Sequence, residues 1–271
     1  MTAQPLRVIV LGAQRKGVEN PLAARFGTSH KCLVPLRGKP LIAHVLATLA
    51  RHARVGEIVV SAEPEVHGDI ARIAAAHGAS AKVRCTASAD NLADSVIAAS
   101  RGRDMPTIIT TADHALLAPA SIDAVAEGLE AGDAVMAFAR EDTVRAAHPE
   151  GQRRFYQFRD GGYSNCNLYG IARRDALCAA EIFRGGGQFA KKAQRIVAAF
   201  GFVNLLLLRL KLVTMEGGLR RISRRAGLRI VPVVLDDGSQ AIDVDNDRTY
   251  RVVEEILARQ PERDEARYKA A

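Results

Sequence analysis

The stretch Arg7-Val8-Ile9-Val10-Leu11, followed by a polar loop and then by His30-Lys31-Cys32-Leu33-Val34-Pro35-Leu36-Arg37-Gly38-Lys39-Pro40-Leu41-Ile42, decides the reading of this chain. An apolar, strand-length run that passes through a loop into a helix is the opening of an α/β unit. At the carboxyl end of such a strand, backbone N–H groups and a positive helix terminus face outward, and open α/β sheets hold phosphates there. Lys31 and Lys39 supply mobile positive charge close by. Pro40 fixes φ at the first turn of a helix whose Leu41, Ile42, Val45, Leu46 and Leu49 recur at helical spacing.

Working outward, strand-like and helix-like runs alternate. Strands are expected at Glu57–Ser61, Thr107–Thr111 and Ala134–Phe138, with helices over Val66–His77 and from Pro119. This is the rhythm of βαβ crossovers and a mostly parallel sheet. Gly78 and Gly56 stand where a left-handed residue closes an element. After residue 140 the rhythm changes. Arg153–Arg159 and Asn167–Ile171 read as two strands joined by Asp160-Gly161-Gly162, a late antiparallel addition to the sheet. Arg229–Leu235 supplies a final strand, and a last helix runs from about Asp247 to Arg259. Gln188 to Arg225 reads as two or three helices. The charged residues from Pro261 onward form a tail, so a single domain over residues 1–260 is expected, followed by residues 261–271.

The 271 residues are 48% hydrophobic, enough for a sizeable core. Cys32, Cys85, Cys166 and Cys178 are scattered without a C-x-x-C pair, which disfavours metal clusters and disulfide scaffolds. Met1 to Pro5 is short and polar and forms no signal pattern, so a cytoplasmic location is expected. The net charge of +8 is uneven: between Arg184 and Ile230 stand eleven basic residues and one acid, Glu216. A helical insertion over residues 184–230 accounts for this block. Its apolar part, Ile196 to Val213, is interrupted by Asn204, Arg209 and Lys211, too often for a transmembrane helix of about 20 residues. The block suits a helical subdomain over one end of the sheet, a dimer interface through residues 196–229, or peripheral contact with an anionic membrane. Nucleic acid is not expected as a partner, because the aromatics of residues 196–229 are confined to Phe200 and Phe202.

Asp113, in Thr110-Thr111-Ala112-Asp113-His114, places one carboxylate just past a central strand. It reads as a Mg²⁺ ligand or as an ordinary loop aspartate. In Ala241-Ile242-Asp243-Val244-Asp245-Asn246-Asp247, an extended backbone puts Asp243 and Asp245 on one face, able to complete a site with Asp113; alternatively Asn246 or Asp247 caps the last helix. Asn91-Leu92-Ala93-Asp94-Ser95 opens a small-residue helix that either admits a flat ring or phosphate or is simply capped and tightly packed. The histidines form no metal set, and His44 is expected on the partly exposed side of its helix. Neither G-x-G-x-x-G nor a Walker A motif occurs, which counts against dinucleotide oxidoreductases and P-loop NTPases.

In order, Val8–Ala13, His30–Ile42, Asn91–Ser95, Thr111–Leu117 and Ile242–Asp245 resemble the motifs of the MobA-like NTP transferases, members of the superfamily that includes sugar-1-phosphate and isoprenoid-precursor nucleotidyltransferases. The resemblance implies a three-layer, Rossmann-like α/β fold with a mostly parallel central sheet, late antiparallel strands and a helical insertion. It implies a Mg²⁺-dependent enzyme that transfers NMP from an NTP, with CTP or GTP the first guesses, to a small phosphorylated acceptor with release of pyrophosphate. Lys31 would bind the phosphates, with Asp113 and Asp245 on the metal and Asp243 the less favoured second ligand. Leu11, Gly12 and Ala13 would meet the base through their backbone, Ala93, Asp94 and Ser95 would close over base and ribose, and Asn167 or Asn165 would touch the acceptor. One departure stands out: where the family loop ends in an arginine, this chain has Val18, so that Arg15, Lys16 or Arg25 grips the triphosphate or the role is absent, and the long Glu19–Ser29 loop is expected to reorganise on binding. A GT-A-type glycosyltransferase is the alternative enzyme, disfavoured by a single carboxylate where D-x-D is usual. A non-catalytic nucleotide-binding or membrane-associated regulator is the third reading.

Overall fold

The computed structural model describes residues 4–14, 19–177, 206–207 and 209–259. In chain order the elements are β1 (Leu6–Leu11), α1 (Pro21–Arg25), β2 (Pro35–Leu36), β3 (Lys39–Pro40), α2 (Leu41–Arg51), β4 (Val55–Ala62) and α3 (His67–Ala76). There follow β5 (Val83–Ala87), α4 (Leu92–Ala99), β6 (Thr107–Thr111), α5 (Pro119–Ala131), β7 (Ala134–Arg140) and α6 (Glu141–Ala147). The last are β8 (Tyr156–Phe158), β9 (Gly161–Ile171), α7 (Met215–Ala226), β10 (Ile230–Leu235) and α8 (Asp247–Arg259). The main sheet has eight strands in the order β10-β7-β9-β6-β1-β4-β5, with β8 paired to β9.

β1 lies between β4 and β6, parallel to both, and its burial on both faces explains the apolar run Val8–Leu11. Alternation sends Val8 and Val10 into the larger core with α2, α3, α5 and α8. Ile9 goes to the opposite face with Val59, Ile109 and the small residues Ala93, Val96 and Ala99 of α4. Three layers result. Leu46, fully buried in α2, is typical of the main core, and Leu46→Ala would cost about 2–5 kcal/mol.

Strand β9 is the late antiparallel strand expected, but it runs from Gly161, not Asn167, and it lies inside the sheet between β6 and β7, antiparallel to both. Only β8, shorter than the expected Arg153–Arg159 strand, is peripheral, and Phe158 pairs with Gly161 across a two-residue turn. Gly170 permits the central place. A Cβ there would stand 2.9 Å from Leu129 and 3.0 Å from Val125, so α5 packs tightly on β9 only over a glycine.

Three smaller expectations are corrected. Gly78 has φ +65 and ends α3, but Gly56 lies inside β4 without a left-handed backbone. His44 is wholly buried, its Nε2 3.0 Å from the Leu36 carbonyl oxygen. The Glu19–Ser29 loop contains a capped helix, α1, with the Asn20 side chain accepting from Leu22 and Ala23 N–H. The expected helices between Gln188 and residue 205, Cys178 and the tail from Pro261 lie outside the described residues; α7 lies within them. It packs Met215 and Leu219 against Ala134, Phe138, Tyr163 and Ile230.

Candidate functional site

The carboxyl ends of β1, β4 and β6 converge. Gly12 N–H donates to the Ser61 carbonyl (2.9 Å) and Ala112 N–H to the Leu11 carbonyl (2.9 Å), so the strands stay paired to their last residues. Asp113 follows at once. Its backbone carbonyl accepts from Val244 N–H at 3.2 Å, which pins the 242–245 segment beside the end of β6. Ile242 and Val244 are fully buried anchors for that segment.

Two residues missed by sequence reasoning hold this arrangement. Gln240 is fully buried; its Oε1 accepts from Ala118 N–H and from Ser121 Oγ, each at 3.0 Å, and its Nε2 donates to the Leu116 carbonyl at 2.8 Å. Gly238 passes so close to α6 that a Cβ would stand 2.2 Å from the Thr143 backbone. Asp236-Asp237-Gly238 signals a turn in the sequence, but nothing local announces either clamp.

Lys31 lies in a short 3₁₀ turn, Lys31–Leu33. Its Nζ donates to Asp113 Oδ2 and, at 2.8 Å, to Asp245 Oδ1. Burial works against the ammonium, but Asp113, then Asp245, outweigh it and raise its pKa. Burial likewise opposes the charge on Asp113, and Lys31 overcomes it, holding that carboxyl below its ordinary range. Lys39 is not part of this group; it lies near His77, beyond the end of α3.

Asp243 and Asp245 do not share a face. Asp245 N–H donates to the Asp243 carbonyl at 3.1 Å, a three-residue turn that breaks the expected extended alternation. Asp245 is exposed at the mouth, whereas Asp243 turns inward and is buried. Asp243 Oδ2 accepts from Asn167 Nδ2 at 2.5 Å, while Oδ1 is buried without a hydrogen-bond partner. Burial, then repulsion from Asp113 and Asp245, pushes its pKa well above the usual carboxylate value. Asn246 caps α8, its Oδ1 accepting from Arg248 and Thr249 N–H. The capping alternative thus holds for Asn246 without removing the two aspartates from the site.

Asn167 reaches Asp243 through an irregular backbone. Between the pairs Met136↔Tyr169 and Phe138↔Asn165 the β9 register is broken, and Asn167 has φ 47, in the left-handed region. Its N–H donates to Asn165 Oδ1 at 2.7 Å. A bulge with a left-handed residue re-aims a side chain, here toward the buried carboxylate.

The other expected residues divide. Ala93 is packed in the core, Ser95 Oγ accepts from Ala89 N–H at 3.0 Å, and Asp94 pairs with Asn91 Nδ2 at 2.6 Å. In this structure, the segment forms a capped, tightly packed helix start. Gln14 N–H donates to Glu63 Oε1 at 2.9 Å, tying the β1 loop to the end of β4. Arg25 pairs with Asp247 at 2.7 Å beside the rings of Phe26 and Tyr250. Arg15, Lys16 and Val18 lie outside the described residues. Cys32 is buried in the core, and burial lifts its thiol to about 12, so it is no nucleophile.

Among the described residues no three Asp, Glu, His or Cys side chains form a ready-made metal cage. The oxygens present are nevertheless hard donors: those of Asp113 and Asp245 around one ammonium, and the unpartnered Oδ1 of Asp243. Mg²⁺ keeps several waters and takes only one or two carboxylates beside phosphate oxygens, so the set fits that ion.

The fold has solved counterparts. A hypothetical transferase from Thermus thermophilus superposes with a TM-score of 0.73 at 20% identity, covering 91% of this chain and 99% of that one. The 4-diphosphocytidyl-2C-methyl-D-erythritol synthase of Anaerococcus prevotii gives 0.58 at 9% identity, covering 94% and 97%. A CMP:2-keto-3-deoxy-manno-octonic acid synthetase complexed with CTP gives 0.57 at 17% identity, covering 94% and 99%. The sequence matches none of the curated proteins. The model of the MobA-like NTP transferase domain matches residues 22–229, most of the chain, and the protein therefore belongs to the MobA-like NTP transferase family.

Proposed function

We propose that this nucleotidyltransferase moves NMP from an NTP to a small phosphorylated acceptor, a sugar phosphate, alcohol phosphate or cofactor precursor, in a Mg²⁺-dependent reaction. The observation that carries the reading is the Lys31 ammonium shared by Asp113 and Asp245 just beyond the central strands, with Asp243 buried beside them. CTP is the first candidate nucleotide, because one similar structure holds CTP and another is named for a cytidyl product. GTP is the second.

In the reaction an acceptor phosphate oxygen attacks the α-phosphorus. One P–O bond forms, the bond to the bridging α–β oxygen breaks, and that electron pair leaves with pyrophosphate. Little covalent work falls to the protein, so positioning and charge neutralisation carry the rate. Lys31 binds the phosphates and stabilises charge growing on the α-phosphoryl oxygens. Asp113, together with Asp245 or Asp243, would hold Mg²⁺, which when bound neutralises phosphate charge. Leu11, Gly12 and Ala13 face the base, and Arg15 or Lys16 takes the place of the loop arginine. Asn165 contacts the acceptor, while Asn167 fixes the orientation of Asp243 and acts as a positioning residue.

The test is pyrophosphate release with each NTP and Mg²⁺ against pooled phosphorylated acceptors, with the product identified by mass. Release with one nucleotide and one pool is expected. Nucleotide binding without release across every pool would favour the non-catalytic reading, and sugar transfer from a nucleotide-sugar without pyrophosphate chemistry would favour a glycosyltransferase.

A further inference from the structure

Residues 206–229 carry seven basic side chains and one acid, Glu216. The apolar stripe of α7 is already used: Met215 and Leu219 pack on the sheet, which leaves Arg220, Arg221, Arg224 and Arg225 exposed. Just before α7, Leu206, Leu210 and Leu212 are 46%, 56% and 55% exposed, with Arg209 and Lys211 between them. The leucines are held there. Leu210 N–H donates to the Leu206 carbonyl and Leu212 N–H to the Leu207 carbonyl, each at 2.9 Å. The following residues are tied to the β8–β9 turn by Arg159 N–H to the Val213 carbonyl (2.9 Å) and Met215 N–H to Asp160 Oδ1 (3.0 Å).

Exposed leucines set among cations match a surface that is apolar below and anionic above. A second copy of the same face would bring like charges together, and nucleic acid would leave the leucines in water. No described helix is long and apolar enough to cross a membrane, so the fitting geometry lies along the interface. We propose that residues 206–207 and 209–229 dock this protein on an anionic lipid surface, with Leu206, Leu210 and Leu212 at the acyl boundary and the arginines on lipid phosphates.

Co-sedimentation of the full chain with vesicles of phosphatidylcholine alone, or of phosphatidylcholine with phosphatidylglycerol, tests this. Binding to the phosphatidylglycerol vesicles only, weakening with added salt, is expected. Arg221→Gln with Arg224→Gln should lower it about fivefold per arginine, and Leu210→Asn with Leu212→Asn should abolish it. Both pairs should keep wild-type melting behaviour and solution turnover, which separates lost docking from lost folding. No sedimentation with phosphatidylglycerol, equal sedimentation with neutral vesicles, or indifference to both pairs of substitutions would overturn the proposal. So would a concentration-dependent dimer that Leu210→Asn with Leu212→Asn disperses while vesicle binding is nil.

Discussion

At the amino end of β1, Arg7 is buried and fully answered: Nε donates to Glu57 Oε2 at 2.6 Å, and the two terminal nitrogens to the Ser100 and Arg103 carbonyls at 2.9 and 2.8 Å. Glu57 in turn accepts from Arg84 Nε at 2.7 Å. At the other end of the same strand one ammonium serves Asp113 and Asp245, and Asp243 is buried beside them with an oxygen that accepts nothing. The first cluster has the satisfied partners of a structural network. The second keeps like charges together and a donor site open, a condition that folding alone does not favour and that binding of a polyphosphate and a cation would relieve. Two charged clusters at opposite ends of one strand are thus distinguished by what is left unpaired.

The largest expected effect breaks the second cluster. Asp113→Asn, or Lys31→Ala, should lower turnover about a hundred- to a thousandfold, with circular dichroism unchanged; retention of full activity by either would remove that residue from the chemistry. Next, Arg7→Met should destabilise the fold by about 3 kcal/mol in urea denaturation, because it deletes a buried cation that ties three segments together. Its turnover at low temperature should match wild type.

Glu57→Gln should cost about 2 kcal/mol, the worth of its charged hydrogen bonds. It also sharpens the contrast through pH. Burial opposes the Glu57 charge, but Arg84 and Arg7 outweigh it and lower its pKa below the ordinary 4.5. Its stabilising contribution is therefore complete above the unfolded-state value and is lost as pH falls through the folded-state value. Denaturation measured from neutral to acidic pH should show a shallower acid limb for the variant, and parallel limbs would contradict the assignment.

Much of this was legible in the sequence, for identifiable reasons. Thr107–Thr111 and Asp247–Arg259 are found at their expected bounds because apolar run length and helical periodicity are local properties. β5, Val-Arg-Cys-Thr-Ala, escaped because an edge strand is half exposed and shows no apolar run. The central place of β9 escaped because strand order is set by packing across the sheet, here by Leu129 and Val125 against Gly170. In the site, Lys31, Asp113 and Asp245 were legible as charges beside strand ends. The Asn167 to Asp243 bond was not, since it depends on a left-handed backbone at an asparagine and a bulge that no spacing rule reveals.

The smallest stability change carries the most information. Asp243→Asn keeps the shape of the side chain and removes a buried carboxyl whose ionisation is opposed by burial and by Asp113 and Asp245. Thermal melting and pyrophosphate release should therefore be measured on the same preparation of this variant and of wild type. A gain of about 1 kcal/mol in stability together with loss of pyrophosphate release is expected, the exchange of stability for activity found at a built site. A variant that melts lower than wild type, or that melts higher and still releases pyrophosphate at the wild-type rate, would contradict it.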